Sequence, residues 1–172
     1  KLYININNMS LSKKSHNLNK ESSKTYVDNF NILVVDDDVD FSQMLGEILS
    51  ARGHIVTVVN EGISCISKCQ SFEYDLIFMD FHMGNLDGVE TTDLLKKVCS
   101  TSSLFFSISG DDSPSAIAKF KEVGMNGALI KPIDVKVIEK LMCSLETRTY
   151  DNKKMYNMLR FPNMKSNLMI FK

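Results

Sequence analysis

The sequence predicts an α/β protein in which a five-stranded parallel sheet is covered by helices on both faces. Between residues 30 and 147, apolar runs of strand length alternate with amphipathic segments of helix length. The strand-length runs are apolar at consecutive positions, a pattern typical of strands buried on both faces. With right-handed crossovers, this alternation predicts a doubly wound three-layer (βα)5 sandwich.

The first two strand–helix units are marked by composition and by helix stop signals. "NILVVD" (31–36) is a continuous apolar run, and "IVTVV" (55–59) is rich in β-branched residues. A helix over 39–53 is predicted from one apolar face and from Gly53 as its end. That face comprises Phe41, Met44, Leu45, Ile48 and Leu49. A second helix over 61–72 is predicted to turn Ile63 and Ile66 inward.

The remaining three units follow the same rhythm. The predicted strands are "DLIFMD" (75–80), "LFFSIS" (104–109) and "GALIK" (127–131), and the predicted helices are 88–99, 115–124 and 135–146. Ser113 and Pro114 supply an N-cap and a first-turn proline for the fourth helix, and Asp134 caps the fifth. Each helix carries one apolar stripe, so each is expected to pack on the sheet.

Length, charge and hydropathy exclude several classes of protein. The chain has 172 residues, 44% hydrophobic and 24% charged, with a formal net charge of −1. That balance predicts no nucleic-acid partner, and runs such as "LIFM" (76–79) are too short to predict a membrane span. Residues 1–29 are predicted to be a flexible leader, 30–147 the folded domain, and 148–172 an irregular tail in which Pro162 argues against one continuous helix. The chain begins with Lys1 and not with Met, which favours a fragment of a longer protein and leaves a stand-alone protein open.

The cysteines are interpreted as packing residues. Cys65, Cys69, Cys99 and Cys143 have neither CxxC nor Cys/His metal-ligand spacing. Reduced cysteines of this kind favour a cytoplasmic location. His16 and His54 have no partner in any recognisable spacing, and we expect both to be solvated.

Charged and hydroxyl side chains lie where the predicted strands end. Asp36 and Asp37 end the first strand, Asp80 the third, Ser109 the fourth and Lys131 the fifth. Ligands of open α/β sheets bind beyond the carboxyl ends of the strands, so these side chains are expected to meet. Adjacent carboxylates need a compensating cation, and three of them predict a site for a hard divalent ion such as Mg²⁺. Asp38, in contrast, is interpreted as the N-cap of the first helix.

Four segments in this order resemble the receiver domain of two-component response regulators. They are "VVDDD" (34–38), "YDLIFMDFHMGNLDG" (74–88), "LFFSISG" (104–110) and "GMNGALIKPI" (124–133). Any one would be a weak signal, but together at successive strand ends they are a strong one. The resemblance implies a flavodoxin-like sheet of order 2-1-3-4-5. It also implies a usually cis Lys131–Pro132 peptide bond.

Site roles carried over from the resemblance are expectations for this chain. Asp80 matches the phosphoacceptor, which takes a phosphoryl group from a phosphohistidine. Asp36 and Asp37 match the acidic pair that holds Mg²⁺ with Asp80, and the backbone carbonyl of His82 matches a further ligand. Lys131 matches the lysine that pairs with phosphoryl oxygens, and Ser109 the hydroxyl that turns toward them. The expected donor is a histidine kinase or a histidine phosphotransfer protein.

Some positions depart from the pattern of that family. Gly84 stands where proline is usual, which loosens the loop after Asp80. Ala128 stands where many members carry a tyrosine or phenylalanine that rotates after phosphorylation, so half of that switch is missing. His82 and Asp111 occupy the positions that flank the water attacking the aspartyl phosphate.

Three hypotheses of function remain open at this point. The favoured one is a non-enzymatic signalling domain, either a stand-alone receiver or the receiver of a hybrid histidine kinase. A second is a receiver that binds partners without being phosphorylated, which Ala128 keeps open. A third, a phosphohydrolase of the haloacid dehalogenase type, is disfavoured because His82 stands where that family needs a second aspartate.

Overall fold

The computed structural model describes residues 29–99, 101–146 and 168–171, and it has the predicted alternation of strands and helices. The strands are β1 (Asn31–Val35), β2 (Ile55–Val59), β3 (Leu76–Asp80), β4 (Leu104–Ser109), β5 (Gly127–Ile130) and β6 (Leu168–Ile170). The helices are α1 (Val39–Ala51), α2 (Gly62–Ser71), α3 (Gly88–Val98), α4 (Pro114–Glu122) and α5 (Val135–Glu146). The sheet order is β2-β1-β3-β4-β5-β6, which confirms the predicted order and adds one strand.

Two apolar layers sandwich the sheet, as strands buried on both faces require. One layer joins alternate residues of β1, β3 and β4, such as Ile32, Phe78 and Phe106, to α1 and α5. The other joins the intervening residues, such as Leu33, Ile77 and Phe105, to the opposite face. Nearly every residue of β1, β3 and β4 is therefore buried, which explains the continuous apolar runs in the sequence.

Helix ends follow local chemistry. The Asp38 side chain accepts a hydrogen bond from the Phe41 N–H and caps α1, which confirms its predicted role. Ser113 caps α4 in the same way, with Pro114 in the first turn. Asp87 and Glu90 form a reciprocal capping box at the start of α3, which was not predicted from the sequence. These caps set where each helix leaves the edge of the sheet at which the polar strand ends lie.

β6 is a strand within the segment predicted to be irregular. It pairs antiparallel with β5, with Gly127 opposite Ile170, Ala128 opposite Met169 and Leu129 opposite Leu168. Residues 1–28 and 147–167, including most of the predicted leader and tail, lie outside the described residues. The signal for β6 in the sequence is a run of only four apolar residues, "LMIF", which is too short to show a period.

Two predicted core contacts are wrong. Met44 is 44% exposed because α1 buries a narrower stripe of Ser42, Leu45, Gly46 and Leu49. Ile63 is 62% exposed because α2 turns its smaller residues, Gly62 and Cys65, toward the fold. A side chain on Gly62 would overlap Thr91 of α3, so the two helices pack too closely for a large residue there.

The prediction that His54 is solvated is also wrong. Its side chain is fully buried and links three distant parts of the chain. The Phe30 N–H donates to Nδ1 at 3.3 Å, while Nε2 lies 3.1 Å from Glu146 Oε1. Arg52 forms a bidentate pair with the same carboxylate at 2.9 and 3.0 Å. Burial lowers the pKa of His54, so the neutral ring that accepts from Phe30 is the favoured form.

All four cysteines are free thiols, with Cys65 buried in one apolar layer and Cys69 and Cys99 packed against it. The interpretation as packing residues agrees with the positions of these three cysteines but is wrong for Cys143, which is exposed. Within the described ranges, no helix has the length and apolar character needed to cross a bilayer.

Candidate functional site

The register of the sheet brings the polar strand ends together. Val35, the last residue of β1, pairs with Met79, which places Asp36 beside Asp80. Asp80 pairs with Ile108, and Ser109 pairs with Ile130, one residue before Lys131. Because these strands are parallel, all of these carboxyl ends meet at one edge.

Three carboxylates form the centre of the site. Asp36, Asp37 and Asp80 each offer an oxygen within 4.8 Å of the others. Asp36 and Asp80 are buried, whereas Asp37 is exposed to solvent. Among the residues that the structure describes, this is the grouping of acidic, histidine or cysteine side chains that could hold a metal ion.

Lys131 bridges two of these carboxylates. Its Nζ donates to Asp36 Oδ2 and to Asp80 Oδ1, each at 2.9 Å. The Nζ also lies 4.5 Å from the centroid of the Phe41 ring, which adds a cation–π contact from the first turn of α1. One ammonium faces three carboxylates, so the site retains net negative charge.

The pKa values of the two buried carboxylates follow mainly from their burial. Burial raises the pKa of Asp80 to about 6; the hydrogen bond from Lys131 opposes this increase, and the charge of Asp36 adds to it. Burial likewise raises the pKa of Asp36, against the hydrogen bonds from Lys131 and the Asp38 N–H. For Lys131, burial acts to lower the pKa, but the two carboxylates outweigh it and raise the pKa. Asp80 is therefore ionised at neutral pH but more basic than an ordinary aspartate.

Backbone contacts fix Asp36 in place. Its Oδ1 accepts from the Asp38 N–H at 3.0 Å, and its carbonyl oxygen accepts from Asn60 Nδ2 at 2.7 Å. Asn60 also donates to Ser42 Oγ in α1 at 3.0 Å. Asn60 was not among the predicted site residues, although it follows β2 directly and the strand-end rule applied to β2 would have found it.

Ser109 is held by the loop that follows β4. Its Oγ accepts from the Asp111 N–H at 2.9 Å and donates to the Asp111 carbonyl at 3.2 Å. Asp111 in turn accepts from the Ser113 N–H at 2.8 Å, and this bond lowers the pKa of Asp111. The hydroxyl that was predicted to face a phosphoryl group is thus engaged with this loop.

His82 is exposed, and its ring packs on Phe81 at 4.2 Å between centroids. The role of its backbone carbonyl as a metal ligand stays a prediction. The Lys131–Pro132 peptide bond is cis, as the resemblance implied.

Comparison with known proteins decides the family. The family model for the response regulator receiver domain matches residues 32–142, which is most of the folded part of the chain. The chain belongs to the response regulator receiver domain family. Receiver domains act in two-component phosphorelay signalling, and this one has their fold, including the predicted strand order.

The curated relatives that this receiver resembles are longer proteins. It is 32% identical over 103 residues to transcription factor SKN7 of Saccharomyces cerevisiae, covering 60% of this chain and 16% of that protein. It is 31% identical over 109 residues to the CAI-1 autoinducer sensor kinase/phosphatase CqsS of Vibrio cholerae, covering 62% of this chain and 16% of that one. The chain spans less than a fifth of the length of these relatives.

Solved structures agree on the fold. The receiver domain of the Francisella response regulator 1452 has a TM-score of 0.64 at 26% identity, covering 70% of this chain and 99% of that one. The Ssk1 receiver of Saccharomyces cerevisiae, in its co-crystal structure with the phosphotransfer protein Ypd1, has a TM-score of 0.64 at 20% identity. That match covers 72% of this receiver and 95% of the matched chain.

The donor set of this receiver fits a hard divalent cation. Clustered carboxylate oxygens suit such ions, and a shallow edge with one exposed carboxylate leaves room for bound water. One ammonium, that of Lys131, faces the three carboxylates, so a bound divalent cation would balance the charge that remains.

Proposed function

We propose that this receiver accepts a phosphoryl group on Asp80 in a Mg²⁺-dependent reaction. The observation that carries the proposal is the arrangement of Asp80, buried at the end of β3, with Asp36 and Asp37 within 4.8 Å and Lys131 bonded to it. This arrangement supplies a nucleophilic carboxylate, a cation-binding pair and a positive charge for phosphoryl oxygens.

In the proposed reaction, a carboxylate oxygen of Asp80 attacks the phosphorus of a phosphohistidine. The bond between phosphorus and the imidazole nitrogen breaks, and its electron pair returns to the ring, which then takes up a proton. Asp36, Asp37 and Asp80 would hold Mg²⁺, with the His82 carbonyl as a further ligand. Bound there, the ion would neutralise charge on the transferring group. Lys131 pairs with the phosphoryl oxygens, and Ser109 leaves Asp111 to meet them.

The proposed phosphodonor is a histidine kinase or a histidine phosphotransfer protein. The pairing of the Ssk1 receiver with Ypd1 and the presence of sensor kinases among the relatives support this class of partner. The domain itself is proposed to be a signalling module and not an enzyme, acting in the cytoplasm. We extend the proposal to either a stand-alone receiver or the receiver of a hybrid kinase, because a sensor kinase stands among its relatives.

Intact-mass spectrometry after incubation with acetyl phosphate and Mg²⁺ tests the site. We expect one added phosphoryl group, lost in EDTA and in the Asp80→Asn variant but retained in the Asp93→Asn control on the surface of α3. A phosphoryl group that persists in the Asp80→Asn variant would contradict the assignment of Asp80.

A receiver that binds partners without phosphorylation is the second candidate, and Ala128 at the switch position favours it. An unchanged mass both with acetyl phosphate and with a phosphorylated histidine phosphotransfer protein would support that candidate instead.

A further inference from the structure

The outer edge of β5 is covered by the chain's own segment 168–171. β6 pairs with β5 over Gly127–Leu129, and the Phe171 N–H donates to the Asn126 carbonyl at 2.8 Å. Leu168 and Ile170 enter the apolar layer on one face of the sheet, and Phe171 enters the layer on the other. The segment therefore closes both layers at once, although it is only a few residues long.

Small residues on β5 make this contact possible. At Gly127, a side chain would overlap the Met169 carbonyl oxygen and the Phe106 ring. Ala128 is fully buried, pairs with Met169 of β6 and belongs to the same apolar layer as Phe171. The position that lacks the expected aromatic side chain is thus the position on which β6 lies.

A series of aromatic contacts leads from the phosphoacceptor to this segment. Phe81, the residue after Asp80, packs edge-on against Phe120 of α4, with 5.0 Å between ring centroids. Phe120 in turn stacks with Phe171 at 6.5 Å and 26°. The Lys121 Nζ lies 5.5 Å from the Phe171 ring centroid, so α4 contacts this ring through two consecutive residues.

Ser109 connects the same helix to the site. Its hydroxyl holds the Asp111 backbone, and Asp111 holds the Ser113 N–H at the N-cap of α4. If Ser109 turned toward a phosphoryl group on Asp80, its hydroxyl would give up its two hydrogen bonds with the Asp111 backbone, and the loop that leads into α4 would lose this support. A shift of α4 would then move Phe120 away from Phe171.

We propose that segment 168–171 is a reversible intramolecular cover of the β5 edge, and that phosphorylation of Asp80 releases it. The inference rests on the proposed phosphorylation of Asp80. Release would expose the backbone of β5 and apolar surface on both faces of the sheet, which together form a surface that accepts a β-strand. Thermodynamic linkage makes this coupling reciprocal. If phosphorylation disfavours the docking of β6 by a given factor, the docking of β6 disfavours the phosphorylated state by the same factor.

Hydrogen exchange of the 172-residue chain measures the docking directly. We expect the amides of 168–171 to be protected in the unphosphorylated protein and to lose protection after phosphorylation, which intact mass confirms in the same sample. The Phe171→Ala variant should lose this protection without phosphorylation. The Phe72→Ala variant, which removes a half-exposed ring on α2's C-terminal side, is the matched control and should not.

An equilibrium measurement tests the linkage. Beryllium fluoride with Mg²⁺ mimics the phosphoryl group on an aspartate without a covalent step, so reciprocity applies to its affinity. We expect the Phe171→Ala variant to bind it at least about fivefold more tightly than the parent and the Phe72→Ala control to bind it equally.

The outcomes separate this inference from the proposed function. If the chain is phosphorylated but 168–171 stays protected and the affinities are equal, the inference is overturned and the function stands. If the chain neither gains a phosphoryl group nor binds beryllium fluoride in any variant, the proposed function fails and the linkage fails with it. If the Phe171→Ala variant alone reacts, β6 inhibits the site when docked, which supports the inference.

Discussion

Replacing Asp80 with asparagine is expected to stabilise the metal-free receiver while abolishing phosphorylation. The pKa of Asp80 is raised from 3.8 to about 6, so the folded state holds a proton on this group more tightly than the unfolded state does. A pKa difference of one corresponds to about 1.4 kcal/mol, so the ionised carboxylate destabilises the fold at pH 7 by up to about 3 kcal/mol. The Asp80→Asn variant removes that charge, and its amide oxygen can still accept from Lys131.

The sign of the effect sets its pH dependence. Between about pH 4 and 6 the folded state binds more protons at Asp80 than the unfolded state, so this group makes stability fall as the pH rises. At pH 4 the carboxyl group is protonated in the folded parent, and the advantage of the variant should fall below about 1 kcal/mol. Above about pH 7 the advantage should be complete and constant.

Urea unfolding in EDTA at pH 7.5 and pH 4 measures this difference. The Asp93→Asn variant is the control, because Asp93 is 46% exposed in a surface ion pair and its loss should change stability by under about 0.5 kcal/mol. Mg²⁺ at a hundredfold excess over its Kd should stabilise the parent by about 2.7 kcal/mol and so reduce the difference in free energy of unfolding between the Asp80→Asn variant and the parent. The reasoning would be refuted if the variant were less stable than the parent in EDTA at pH 7.5. It would also be refuted if the stability advantage of the variant were as large at pH 4 as at pH 7.5.

Three further perturbations test the surroundings of the site. Gly88→Ala should lower the free energy of unfolding by about 1–3 kcal/mol and slow phosphorylation, because its methyl group would overlap the Asp80 backbone carbonyl. In the Gly84→Ala control the methyl group meets nothing within 4 Å, so an equal loss of stability in both variants would contradict the packing argument. Arg52→Ala should lower the free energy of unfolding in urea by about 1–3 kcal/mol, because it breaks the bidentate bond to the nearly buried Glu146 carboxylate. The surface control Lys97→Ala should lower it by under about 0.5 kcal/mol, and equal losses in the two variants would contradict this prediction. Asp37→Asn should weaken Mg²⁺ binding by calorimetry without changing stability in EDTA, because this carboxylate is exposed; unchanged affinity would remove it from the proposed ligand set.

The apolar runs in the sequence were sufficient to predict the sheet, and the polar residues that follow these runs were predicted to lie together at one edge. Strands buried on both faces have one register that satisfies both layers, so the apolar runs determine where each strand stops. Asp36, Asp80 and Lys131 come together because parallel strands end at the same edge. Their chemical roles rest on the resemblance and stay predictions until phosphorylation is measured.

Contacts between segments that are far apart in the sequence could not be predicted, because no local pattern of residues indicates them. His54 bonds to residues 24 and 92 positions away, so nothing near it in the sequence indicates that it is buried. β6 pairs with a strand whose residues lie about forty positions earlier, as the partnership of Leu129 with Leu168 shows. Ile63 was mistaken for a core residue because hydrophobicity alone does not show that Gly62 sets the distance between α2 and α3.

Lys131 connects the charge of the site to the edge that β6 covers. Its ammonium is shared between Asp36 and Asp80, each at 2.9 Å. A phosphoryl group on Asp80 would replace one of those acceptors, so the lysine must change its bonding. Lys131 follows β5 directly, and its N–H donates to the Ser109 carbonyl at 2.7 Å. Leu129, two residues earlier, pairs with Leu168 of β6. β5 therefore both leads into Lys131 and pairs with β6, the strand that covers its edge. For this reason we expect a change at Asp80 to alter the docking of residues 168–171 and to leave β2, at the opposite edge of the sheet, unchanged.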